Sequence, residues 1–281
     1  MSDMAVDNTV LSVEKRWARV VPWLGSLRIT ALYAVVLVSF EVALTQLGSQ
    51  KRDAVVSQMS TNLHNLSHGH FSTLIGSAFV SDGGDIVAWL PGLVCLLALG
   101  ELIWRGRGLL IAFAIGHIGA TLLVAVWLTF AVLAGWLPIS IAHATDVGVS
   151  YGAVSVLGAL TASIPSRWRT AWIGWWLGTA VTVASSADFT AIGHVLALLL
   201  GIGLSYRLRA IVSWTPLHVG LLIGGVTFAY FVVSGPSAMA LIGGLTGIVL
   251  GLFANREVRS TTVKGRMRLQ QPEFLDAPSR A

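Results

Sequence analysis

Eight apolar runs of about twenty residues follow one another between residues 27 and 254, at 27–47, 86–104, 109–133, 147–164, 170–187, 189–206, 217–234 and 236–254. Each reads as a membrane-spanning helix, because a helix needs about twenty residues to cross about 30 Å of hydrocarbon. The predicted fold is therefore an all-α polytopic membrane protein, a bundle of about eight spans. Residues 48–85 form the longest stretch between spans. Polar residues mix there with Val55, Val56, Met59, Leu63, Leu66, Leu74, Ile75, Ala78 and Phe79, which predicts an outer loop partly buried in the interface. Residues 1–26 are expected to form a basic segment on the cytoplasmic surface, and 255–281 a basic, disordered cytoplasmic tail. No cleavable signal peptide stands out, so span one is expected to remain as an anchor.

The charges orient the bundle. Arg16, Arg19, Arg28, Arg105, Arg107, Arg167, Arg169, Arg207, Arg209 and the C-terminal tail all fall on one side. The opposite loops carry Asp82, Asp85, Asp146 and Asp188, with Lys51 and Arg52 the exception. The positive-inside rule then makes both termini cytoplasmic. A net charge of +5 raises the question of nucleic acid, but short basic clusters between apolar runs serve as orientation signals. No nucleic-acid partner is expected. Hydrophobic residues make up 55% of the chain and charged ones 11%, which makes the lipid bilayer the first partner. The single cysteine, Cys95, excludes an internal disulfide.

Spans four and six run in the same direction, from outside to inside. Ser150 lies about three residues into one and His194 about five into the other, roughly 5 and 8 Å below the outer surface. A hydroxyl and an imidazole at matching depth are the parts of a serine nucleophile and its base. Small residues on span six (Ala197, Gly201) and span four (Gly148, Gly152, Ser155, Ala159) would let the helices approach closely. In the mechanism these parts imply, His194 takes the Ser150 proton during attack on a peptide carbonyl and returns it to the leaving amine. First-turn backbone N–H groups at Gly148, Ser150 and Tyr151 are candidates for holding the oxyanion. Serine is also a common packing residue between membrane helices, whereas an intramembrane histidine is a functional candidate by default.

Leu99-Gly100-Glu101-Leu102-Ile103-Trp104-Arg105-Gly106-Arg107, then Gly148-Val149-Ser150, then Gly193-His194 followed by Ala197 and Gly201 resemble the rhomboid intramembrane serine proteases. Leu74–Phe79 resembles the segment before that family's second span. The likeness covers about 71–206, leaves 217–254 as additional spans, and looks closest to the divergent actinobacterial branch called rosmerta. It implies Ser150 as nucleophile, His194 as base, Glu101 as a structural polar group, no cofactor, and single-span membrane proteins as substrates in a bacterial plasma membrane. Two features depart from the pattern. Tyr151 stands where the family has Gly after the serine. Asp85, Ile86, Trp89 and Leu90 occupy the region where it has a His and an Asn that assist the oxyanion. An inactive rhomboid-like protein that binds transmembrane helices is the alternative. A transporter is disfavoured by the lack of a convincing repeat and the small number of buried charges.

Other polar residues receive structural readings. Glu101 and Arg105, four apart, are expected to pair near the inner surface. His117, roughly 12 Å from the inner end of span three, is expected to be packed and hydrogen-bonded. Asp146 and Asp188 flank the two site residues and either could orient His194, but both are expected to cap helices. Glu41 has no evident partner. His64, His68 and His70 could hold a metal by spacing, but no acidic or Cys partner is nearby, and no metal site is expected.

Overall fold

The computed structural model describes residues 25–81, 85–185, 188–208 and 213–269, with backbone alone from 256 on. The basic segment at 1–24, Asp82, Arg209 and the last twelve residues lie outside them.

Helices occupy every predicted span, and no strand occurs among the described residues. We number them α1 (Arg28–Gln46), α2 (Ser49–Met59), α3 (Leu63–Ser67), α4 (Thr73–Gly76), α5 (Ile86–Leu133), α6 (Ser150–Ala159), α7 (Ser166–Ala184), α8 (Phe189–Ser205), α9 (Pro216–Ser234) and α10 (Met239–Leu269). Among them α1, α5 and α9 are individually long and apolar enough to cross a bilayer, and α8 and the first half of α10 are shorter apolar helices. α6 is shorter still and is extended by a 3₁₀ turn, Leu160–Ser163. Every residue from Tyr151 to Ala159 is buried, so this helix meets protein rather than lipid and need not match the bilayer by itself.

α5 contains spans two and three. At 1.5 Å per residue its 48 residues would stretch about 72 Å, more than twice the hydrocarbon thickness. The break falls at Arg105, the described non-glycine residue with positive φ (61°, ψ 174°). Leu109 on the second arm returns against Gly100 on the first.

α6 is the central post. Its face at Tyr151, Ser155 and Gly158 meets α8, where a Cβ on Gly201 would strike the Ser155 carbonyl. The second arm of α5 closes another side, with Gly116 against Ser155 and Phe113 over Gly152. Without a hydrophobic driving force between helices in lipid, such close approach supplies the packing that holds them. The additional spans use the same device. On α7, Gly174 and Gly178 lie backbone to backbone against Gly247 and Gly243 of α10, and Gly251 lies against Thr170. α9 packs on the first arm of α5 through Gly224 and Gly225, against Cys95 and Leu96.

Several polar expectations change. Glu101 does not pair with Arg105. Its carboxylate accepts from Ile29 N (3.0 Å), Thr30 N (2.8 Å) and Thr30 Oγ1 (2.8 Å). It thereby caps the N-terminus of α1, where exposed N–H groups and the helix dipole favour an anion. Glu41 has a partner after all: Arg52 Nη1 donates to it at 2.8 Å. That pair accounts for the arginine on the otherwise acidic side. The helix α10 runs on to Leu269, so the tail expected to be disordered from 255 is helical over that part. The reason lies in Arg256-Glu257-Val258-Arg259 and Lys264-Gly265-Arg266-Met267-Arg268, which are mostly good helix formers.

The outer loop is itself helical and is stitched to the start of α6. Thr61 N donates to Asp146 O (2.9 Å), Asp146 N to Ser60 Oγ (2.8 Å), and Gly148 N to Ser77 O (2.8 Å).

Candidate functional site

Ser150 is the first residue of α6 and His194 the sixth of α8. The helices are parallel and in contact: Tyr151 packs on Gly193, Ser155 on Gly201, and Gly158 on Leu198. Ser150 and His194 therefore sit at one level on adjoining helices. No hydrogen bond joins them. Ser150 is half-buried and borders a cavity on another side of α6. His194 is buried, with Nε2 lacking a hydrogen-bond partner.

The residue that meets His194 is Tyr151. Its ring stands edge-on to the imidazole, centroids 5.5 Å apart with planes at 83°, and its hydroxyl end lies against Gly193. A glycine at position 151 would leave that space to the helix backbones, and the tyrosine fills it. The Tyr151 hydroxyl is buried and interacts with the Asp146 carboxyl, Asp188 and Thr190. Asp188 caps α8, accepting from Thr190 N at 3.0 Å as expected. Asp146 caps nothing, because α6 begins without a side-chain cap. Its carboxyl is turned inward instead, and burial pushes its pKa up to about 7. Tyr151 is the member of this group that sequence reasoning missed, and its departure from glycine was the visible signal.

The candidate oxyanion donors divide. Gly148 N–H is committed to Ser77 O, because Gly148, at φ 113°, turns its amide toward the outer loop. Ser150 N–H and Tyr151 N–H have no acceptor among the described residues and remain available, as first-turn amides of an uncapped helix must.

His117 is packed and hydrogen-bonded as expected. Its Nε2 lies 3.2 Å from Ser77 Oγ, tying the second arm of α5 to the outer loop. Of the three loop histidines, His64 stacks with His68 (4.3 Å between centroids) and with His143 (4.6 Å), whereas His70 stays outside the stack. No group of three metal-ligating side chains forms among the described residues.

The cavity beside Ser150, about 370 Å³, is walled by Leu37 and Glu41 of α1, Phe79–Ser81, Ile86 and Trp89 of α5, Val147–Val149, and Phe228, Phe231 and Val232 of α9. Asp85 caps α5 through Val87 N at 2.9 Å. Ile86 and Trp89 thus bring apolar groups to the region where rhomboid proteases have polar ones.

The profile of rhomboid-like proteins matches residues 23–213, more than half of the chain. The chain belongs to the rhomboid-like protein family. The match takes in α1 as well as the motif region and ends before α9 and α10, leaving these two helices as additions to the shared bundle. No curated protein and no solved structure matches the chain. Apolar helices in a rhomboid-like bundle make it a multi-pass integral membrane protein.

Proposed function

We propose that this rhomboid-like protein is a serine endopeptidase that cleaves single-span membrane proteins near the outer face of a bacterial plasma membrane, with both termini in the cytoplasm. The observation that carries the reading is the level placement of Ser150 and the unpartnered ring nitrogen of His194 on touching parallel helices, within a chain of this family. At rest the two side chains do not yet form a dyad. Catalytic hydrogen bonds are often long without substrate and tighten on binding, and here the first turn of α6 has to bring Ser150 toward α8.

In the reaction, Ser150 Oγ bonds to the scissile carbonyl carbon as His194 Nε2 takes its proton. The oxyanion is held by the N–H groups of Ser150 and Tyr151. Collapse breaks the C–N bond, and the proton passes from His194 to the leaving amine. Water entering from the outer face then releases the acyl group by the same steps. The substrate helix has to unwind near its outer end to expose a carbonyl.

A fluorophosphonate probe applied to the protein in membranes tests this. The parent is expected to label and to cleave a single-span reporter, and Ser150→Ala and His194→Ala are each expected to lose both. A parent that captures the reporter unlabelled and uncut, unchanged by Ser150→Ala, would establish the helix-binding reading instead.

A further inference from the structure

A groove of about 1010 Å³ runs along the outer half of the second arm of α5, between that helix, α3 and the 3₁₀ turn Ile139–His143. From Leu122 to Leu133 its floor is about 16 Å long at 1.5 Å per residue. That is the depth of one leaflet in a bilayer whose hydrocarbon core is about 30 Å thick. The floor is apolar and open to lipid, with Val126 69%, Phe130 59% and Leu133 82% exposed. Its hydroxyls are already engaged: Thr129 Oγ1 donates to Ala125 O and Ser67 Oγ to His64 O. The outer rim is built differently. There His64 stacks on His68, one turn along α3, and on His143, which comes from the 3₁₀ turn. His68 Nδ1 lies 2.7 Å from His64 O, whereas the ring nitrogens of His64 and His143 make no hydrogen bond among the described residues. α5 brings no charged residue to the groove, and the titratable groups acting on His64 are His68, His143 and His70. Trp136, 68% exposed just beyond α5, marks the interface level at this rim.

We infer that this groove binds one anionic phospholipid, its phosphate held by His64 and His143 at the rim and an acyl chain laid along Val126 and Phe130. The inference is independent of the proteolytic reading. An apolar trough one leaflet deep, headed by free ring nitrogens at headgroup level, has the layout of a single lipid. A protein helix would bring no phosphate to the rim. Basic pockets beside membrane spans recognise lipid headgroups in the same way. A headgroup without a cation fits best, because an ammonium beside charged imidazoles is repelled. Charge-assisted hydrogen bonds to phosphate are about twice as strong as neutral ones, so the grip tightens as the rim is protonated. Desolvation, and then the imidazoles of His68, His143 and His70, hold His64 below the usual histidine range. A bound anion acts in the opposite direction. Affinity therefore rises as pH falls.

The test titrates the full-length protein, in detergent with a chelator present, with fluorescent phosphatidylglycerol and with phosphatidylcholine of the same chains. Phosphatidylglycerol is expected to bind saturably and about tenfold tighter at about pH 5 than at about pH 8. At the lower pH it should also bind about tenfold tighter than phosphatidylcholine. The double variant His64→Gln, His143→Gln changes two exposed side chains and should lose both differences. Val126→Trp, which fills the floor, should weaken phosphatidylglycerol binding while leaving its pH ratio in place. Equal affinities for the two lipids at both pH values would mean that the groove holds only unselected bilayer lipid, and would overturn the inference. Parental binding in the double variant overturns it as well. So does full displacement of the lipid by inorganic phosphate, which would make the rim a site for the free anion. A change of oligomeric state in Val126→Trp with lipid binding unaltered would assign the groove to a second copy of the chain instead.

Discussion

The two ends of α6 are built to opposite standards. At the inner end, Ser155 Oγ donates to Ala112 O at 2.9 Å, and the backbones of Gly158 and Leu198 touch. The carbonyls just beyond are also satisfied: Arg169 donates to Ala162 O (2.9 Å) and Ile164 O (3.2 Å), and Trp214 Nε1 to Ser163 O (3.2 Å). A cation at a helix C-terminus is where the dipole wants one. At the outer end there is no side-chain cap, a cavity opens beside Ser150, and His194 Nε2 is buried without a partner. Buried polar atoms left unpaired cost stability. The helix thus concentrates its closest backbone packing at one end and its uncapped, reactive groups at the other. The inner end acts as an anchor and the outer end holds the groups able to react.

The comparison breaks most directly at Gly201. Gly201→Leu drives a side chain into the Ser155 backbone and should cost more than about 3 kcal/mol, seen as loss of the folded population on thermal unfolding in detergent. Survival of that variant with parental stability would mean that the inner end is no anchor. Tyr151→Ala, at the other end, should cost about 3 kcal/mol. It also removes the ring that faces His194, so fluorophosphonate labelling measured below both melting temperatures should rise rather than fall. A drop in labelling per folded molecule would show that the ring supports the site.

Asp146→Asn sharpens the contrast through pH. Burial raises the folded carboxyl to about 7, against about 3.9 in an unfolded chain. Between those values the folded state holds the extra proton, so parental stability falls as pH rises from about 4 to about 7. The asparagine variant should lack that decline, melting higher than the parent at pH 8 and no higher at pH 4. Parallel melting curves across this window would mean that Asp146 is not buried beside Tyr151.

Much of the architecture could be read directly from the chain. Backbone groups in lipid have to be satisfied within the segment, so an apolar run of the right length is a helix, and each of the eight runs is one. Counting residues from the run ends also placed Ser150 and His194 at one depth, and the contact between Tyr151 and Gly193 agrees with that count. What failed were partnerships between distant residues. Glu101 was assigned to Arg105, four residues away, but it caps α1 from 71 and 72 positions along the chain. His143 joined the histidine stack from beyond span three.

The sequence by itself determined the number of apolar spans, their order and the level of each polar residue along its own axis, because those follow from local hydrogen bonding and hydrophobic length. It did not determine rotation. α6 carries small residues on more than one face, so its pattern alone allowed Ser150 or Tyr151 to turn toward α8. Only the packing of Gly158 and Gly201, together with Phe113 pressed over Gly152, decided that Tyr151 meets His194 while Ser150 borders the cavity. The angle of a helix about its axis is fixed by its neighbours' shapes, and these lie in other parts of the chain.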